Sequence, residues 1–175
     1  MRRIDVVDYR PEWPNEYRHE EGRLTSTLGE CLVAVHHIGS TSVPGLAAKP
    51  VIDILLEVRD LEELDTYDSA MARLGYEVMG EFGIERRRFY RKGGDQRTHH
   101  VHAFPAGDEH VTRHLAFRDY LIAHPEVADE YDRLKRKIAD EYRTDSDGYC
   151  GAKNDFVVHH EYLALAWFSN RTHTL

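Results

Sequence analysis

The residues able to do chemistry in this 175-residue chain gather in a few short stretches. In HHIGSTSVPGLAAKPVIDILLEV, residues 36–58, the pair Gly39-Ser40 closes one apolar run and Asp53 stands alone inside the next. Glycine lets an anion reach the main chain, so a Gly-Ser turn can present backbone N–H groups and a hydroxyl to a phosphate. A carboxylate on the neighbouring strand can then hold the divalent ion, Mg2+ or Mn2+, that phosphates bring with them. A carboxylate in an apolar run needs some such use, because burying it unpaired costs several kcal/mol. The bland alternative is an aspartate satisfied by amides of the 39–49 loop. Glu57 shares the strand face of Asp53, but four residues at roughly 3.3 Å each put it about 13 Å away, too far to share one ion.

Cations and imidazoles complete the set. Lys49, just before the Asp53 strand, and Lys153, at the opening of the last expected helix, can approach the same phosphates as point charges. Arg88, sharing a strand face with Arg86, offers a bidentate guanidinium. In RTHHVHAFP, residues 97–105, strand alternation puts His100, His102 and Phe104 on one face and His99, Val101 and Ala103 on the other. The pair His100 and His102 can donate to a phosphate or hold a softer metal such as Zn2+ or Mn2+. His36 is expected to be structural, and so is His37, although alternation would also allow it at a cleft mouth.

The elements that must position these groups follow from periodicity. Trp13, Tyr17, Leu24 and Leu28 predict an amphipathic helix over 12–30 that packs on a sheet. Strands are expected at 32–38 and 51–58, separated by the Pro44-Gly45 loop, and at 76–79, 84–91 and 98–104, with Gly93-Gly94-Asp95 as a hairpin between the last two. A helix over 60–74 should stop at Gly75. The second half reads as helical, with segments over 108–123, from Pro125 to about 142, and over 154–169. Val127, Tyr131, Leu134 and Ile138 form an apolar stripe, and the charge run DRLKRKIADEYR reads as a solvated helix face. The fold class expected is α+β, a mixed sheet with helices packed on it and a helical C-terminal part.

The segments IGSTSVPGLAAKPVIDILLEV, RTHHVHAFP, FRDYLIAHPEVADEYDRLKRKIA and GAKNDFV together resemble the GrpB family, uncharacterised proteins assigned to the nucleotidyltransferase superfamily. The resemblance covers nearly the whole chain and is most specific from Gly39 to Asp53. It implies a nucleotidyltransferase-like fold in a single domain over residues 1–175. It also implies a Gly-Ser turn, two acids spaced Asp-x-Asp, a third acid on a later strand, two Mg2+ ions and transfer of a nucleoside monophosphate from a nucleoside triphosphate to an acceptor. Gly39, Ser40 and Asp53 match that pattern. Leu55 stands where the second acid belongs, and His102 or His100 is the substitute available for the third. On this reading Asp53, Ser40 and His102 are the catalytic set, Gly39, Ser40, Lys49, Arg88 and Lys153 bind the nucleotide, and Asp53, His100 and His102 hold the metal.

Composition narrows the alternatives. With 41% hydrophobic and 31% charged residues and only 6 prolines the chain reads as a soluble globular protein. No apolar run approaches the roughly 18 residues of a membrane span. The N-terminal MRRIDVVDYR lacks the apolar stretch of a signal peptide, and two cysteines outside any CxxC spacing suit a reducing compartment, so the expected location is the cytoplasm. A net charge of −8 argues against general affinity for nucleic acid backbones. Besides the enzyme, two further readings stand: a degenerate nucleotide- or protein-binding accessory domain, of the kind fused to dephospho-CoA kinase in similar proteins, and a metal hydrolase built on His100 and His102.

Overall fold

The computed structural model describes residues 3–172. Helix α1 (Trp13–Leu28) buries Trp13, Leu24 and Leu28, the stripe its spacing predicts. Strands β1 (Leu32–Ile38), β2 (Ile52–Val58), β3 (Tyr76–Val78), β4 (Arg88–Lys92) and β5 (His99–Pro105) form one sheet in the order β1-β2-β5-β4-β3. Only β2 and β5 run parallel, so the sheet is mixed. The remaining helices are α2 (Leu61–Asp65), α3 (Asp68–Arg73), α4 (Glu109–Ala123), α5 (Pro125–Glu141) and α6 (Ser146–Thr172). This is the expected α+β arrangement with a helical C-terminal part.

Alternation along the two parallel strands sorts the side chains. Ile52, Ile54 and Leu56 of β2 join Val101 and Ala103 of β5 in the core beneath α1 and α3, with Trp13, Leu24 and Met71. On the opposite face Leu55 and Phe104 meet Ile38 and Val111, the last from α4. Each such aliphatic side chain, taken fully out of water, contributes about 1.5–3 kcal/mol, so both faces of β2 are anchored. The three C-terminal helices have their own core around Ala116, Tyr120, Leu121, Val127, Tyr131 and Ala164. Their inner surface roofs the Asp53 face of the sheet.

Three boundaries differ from expectation. The 60–74 segment is two short helices, because the chain turns at Thr66, whose hydroxyl donates to the Glu63 carbonyl at 2.6 Å. Strand β4 starts at Arg88 rather than residue 84, because Gly80–Arg87 is a series of turns in which Phe82 and Arg86 take positive φ of 46° and 62°. Helix α6 begins at Ser146, eight residues before the expected start, with Asp147 in its first turn, where a negative charge meets the positive end of the helix dipole. Lys153 therefore lies two turns inside the helix instead of opening it.

Candidate functional site

A cavity of about 450 Å³ lies between the sheet and the C-terminal helices. Its floor is acidic and imidazole-bearing. Asp53, the second residue of β2, points into it, and His100 and His102 of the adjoining β5 approach the same carboxylate oxygen, with His100 Nδ1 at 3.3 Å and His102 Nε2 at 3.4 Å from Oδ1. Parallel register makes this possible: Asp53 lies opposite His100, and His102 is one step further along the same face. Burial would raise the Asp53 carboxyl, but the interactions with His100 and His102 outweigh it and hold the group well below the usual carboxylate range. Burial pushes the His102 imidazole down against the pull of Asp53, so His102 is neutral at pH 7. A neutral imidazole donating Nε2–H to Asp53 leaves Nδ1 as an acceptor, and that atom is buried without a protein partner. His114 of α4 lies over His102 at 5.5 Å between ring centres, its own value pushed down to about 2 by burial and then by the charges of His102 and Arg113.

The turn that follows β1 is shaped around this carboxylate. Gly39 takes φ +73° and ψ −177°, a conformation available in practice only to glycine. A Cβ there would fall 2.5 Å from Asp53 Oδ2. The glycine thus gives the acid room to sit against the main chain. Ser40, next in the turn, lines the cavity beside Asp53.

The other end is basic and aromatic. Lys49, at the end of the loop, lies over the Tyr149 ring at 4.8 Å, and Lys153, one turn along α6 from Tyr149, lies over the same ring at 5.2 Å. Lys135 of α5 is 2% exposed, sits 4.5 Å from the Tyr131 ring centre and donates to the Ala47 carbonyl. Burial and then the Lys153 charge push its amine down to about 7. Arg118 of α4 closes the wall near the turn and donates to the His37 carbonyl at 3.1 Å. The arrangement suits a polyanion held by the lysines in the same cavity as Asp53.

Comparison with known proteins settles the family. The sequence model described as GrpB protein matches residues 3–162. The chain belongs to the GrpB family. GrpB relatives include YqkA of Bacillus subtilis (strain 168), 41% identical over 170 residues that make up 97% of this chain and 50% of YqkA. The crystal structure of conserved protein GrpB from Enterococcus faecalis matches with a TM-score of 0.91 at 42% identity, covering 94% of this chain and 99% of that one. Dephospho-CoA kinase of Mycolicibacterium paratuberculosis (strain ATCC BAA-968 / K-10) is 27% identical over 175 residues, covering 86% of this chain and 43% of the kinase. The chain therefore spans half the length of YqkA and less than half that of the kinase.

In this GrpB-family chain the cavity brings together Gly39, Ser40, Lys49, Asp53, His100, His102 and Lys153. Arg88 does not join them. It lies opposite Ala103, on the α1 side of the sheet, and forks onto Asp65 at 2.7 and 3.0 Å. The trio Asp53, His100 and His102 does not form a metal cage either. Both imidazoles turn to one Asp53 oxygen, His102 as a hydrogen-bond partner and His100 as a close contact, and among the described residues no three His, Cys, Asp or Glu side chains converge to hold an ion. This geometry also gives the His-based hydrolase reading no metal centre. His36 pairs with Glu57 at 2.7 Å, and His37 stacks on Tyr17 and bonds Thr41 at 2.9 Å, both away from the cavity. Lys135, His114, Arg118 and Tyr149 were missed from sequence. Lys135 sits inside the run read as a solvated face, yet its position four residues after Tyr131 and three before Ile138 places it on the buried stripe. That spacing was the available signal. Among the described residues no helix is long and apolar enough to cross a membrane.

Proposed function

We propose that the cavity binds a nucleoside triphosphate and transfers its nucleoside monophosphate to an acceptor. The observation that carries this reading is the gathering, in one cavity, of the Asp53 carboxylate beneath the Gly39-Ser40 turn and the three lysines 49, 135 and 153. In the transfer the acceptor hydroxyl attacks the α-phosphorus and the bond to the β-phosphate oxygen breaks. Pyrophosphate leaves, and the acceptor proton passes to the Asp53–His102 pair. The lysines neutralise charge gathering on the departing pyrophosphate, a fixed electrostatic contribution of the kind that lowers barriers in dry sites. Ser40 orients the phosphate next to the acid.

The residues present fit one divalent ion and not two. Asp53 offers a single hard carboxylate, and Leu55, at the second acid position, is fully buried among Ile38, Phe104 and Val111. One Mg2+ or Mn2+ brought in on the phosphates, with phosphate oxygens and waters as its other ligands, would supply further charge neutralisation. A second reading, nucleotide binding without turnover in an accessory domain, is favoured by the same Leu55 and by the similarity to part of a dephospho-CoA kinase.

The test is a thermal-shift panel of ATP, GTP, CTP and UTP, each with Mg2+ or Mn2+, followed by a pyrophosphate-release assay with candidate acceptors. A nucleotide at about 100 times its Kd should stabilise by about 2.7 kcal/mol, or roughly 5–10 °C in Tm for a domain of this size. Asp53→Asn should abolish the part of the shift that depends on the divalent ion. A shift without pyrophosphate release selects the binding-only reading, and no shift with any nucleotide defeats both.

A further inference from the structure

Resting on the reading of the cavity as a phosphate site, we infer that Lys49, Lys135 and Lys153 form a polyphosphate subsite whose filling takes up one proton, on Lys135. The three side chains come from three elements, the 39–51 loop, α5 and α6, and converge around two stacked-over phenol rings, those of Tyr131 and Tyr149. Lys135 is the deepest of them. At 2% exposure it is almost wholly withdrawn from solvent, and its hydrogen bond to the Ala47 carbonyl gives it one neutral acceptor where an ammonium carries three donors. The adjacent carboxylate offsets only part of this, because Asp132 is already engaged by the Ala47 N–H at 2.9 Å and by Arg136 at 2.6 Å.

The groups around Lys135 tip the balance toward the uncharged amine in the empty cavity. From the loop it faces Lys49; on α5 it has Tyr131, Asp132 and Arg136; from α6 it faces Tyr149, Cys150 and Lys153. Positive charges outnumber the one carboxylate, and burial acts in the same direction, giving an amine pushed down to about 7. A polyphosphate entering between the lysines reverses the sign of the local field, so the ammonium form becomes the stable one. A phosphate-sized anion supplies the acceptors that Lys135 lacks. Arginine could not serve as such a sensor, since its guanidinium never loses its proton.

Isothermal titration calorimetry of each of the four nucleoside triphosphates into the whole protein at pH 8, in buffers of differing ionisation enthalpy, reads the proton directly. At pH 8 the terminal phosphate, with its second pKa near 6, is already ionised. An amine at about 7 is then roughly nine-tenths neutral. Wild-type protein should take up close to one proton per nucleotide bound. Lys135→Arg should bind with no uptake, and Lys135→Met should bind at least tenfold more weakly, also with no uptake. Binding without proton uptake in the wild type overturns this inference while leaving the nucleotide reading intact. Uptake that persists in either variant, each checked for folding by circular dichroism, assigns the proton elsewhere and overturns it too. Absence of binding by all four nucleotides overturns the nucleotide reading and this inference together.

Discussion

Replacing Gly39 by alanine probes the contact between the turn and the acid. Two costs arise. An L-residue at φ +73° and ψ −177° costs about 1–3 kcal/mol. The new Cβ would also lie 2.5 Å from Asp53 Oδ2 and 3.1 Å from its Cγ, so the carboxylate must move and give up its contacts to His100 and His102. Displacing the His102 hydrogen bond and the His100 contact, at about 1 kcal/mol each, brings the expected destabilisation to about 3–5 kcal/mol. With an m-value of about 2 kcal/mol/M, the urea midpoint should fall by about 1.5–2.5 M. Gly45→Ala is the control: Gly45 also has positive φ, +81°, but an added Cβ there meets nothing within 4 Å, so only backbone strain remains. Urea unfolding followed by the fluorescence of buried Trp13 and by circular dichroism gives both midpoints. The double variant Gly39→Ala/Asp53→Ala should recover part of the loss, since the nearest clashing atom, Asp53 Oδ2, is gone while Cβ at 3.0 Å remains. If Gly39→Ala is no more destabilising than Gly45→Ala, the close packing of turn and carboxylate is not what fixes glycine at this position.

Other perturbations separate the site from its surroundings. Leu55→Asp, which would restore the missing acid, should instead destabilise by at least about 4 kcal/mol and lower Tm by roughly 10 °C or more, because Leu55 is fully buried; a well-folded variant with increased metal-dependent turnover would contradict this. Arg88→Ala should cost about 1 kcal/mol or less, since its ion pair with Asp65 is partly exposed, and should leave any nucleotide-induced Tm shift unchanged. His37 and His114 have values lowered from 6.5 to about 4 and about 2. Both are depressed in the folded state, so the unfolded chain takes up protons first as pH falls below about 6.5, and stability is lost from there downward. Differential scanning calorimetry from pH 7 to pH 4 should show Tm falling, and a flat or rising profile would refute the assignment.

Much of this was legible in the sequence because strands have a period of two. The sorting of Asp53 and Leu55 from Ile52 and Ile54, and of His100 and His102 from Val101, needed only alternation, and the structure has each on the expected face. Arg88 was not legible, because its face depends on pairing register. It opposes Ala103 rather than His102, and a shift of one residue moves a side chain through the sheet. Lys135 was hidden for a different reason. A lysine in a charge run reads as solvated, and that composition outweighed its spacing from Tyr131 and Ile138, which puts it on the buried stripe of α5. The early start of α6 escaped because Asp145, Asp147 and Gly148 carry turn chemistry, which tertiary packing of Tyr149 against Ile138 and Ala139 overrides.

The division of labour across the cavity has a consequence for how such a protein can change. Its carboxylate belongs to β2, while two of its three lysines ride on helices that follow the last strand. On the proposed reading, drift confined to residues 125–172 would therefore alter which cargo is welcomed while leaving the acid and its glycine undisturbed, so that affinity and chemistry could part company along a single peptide chain.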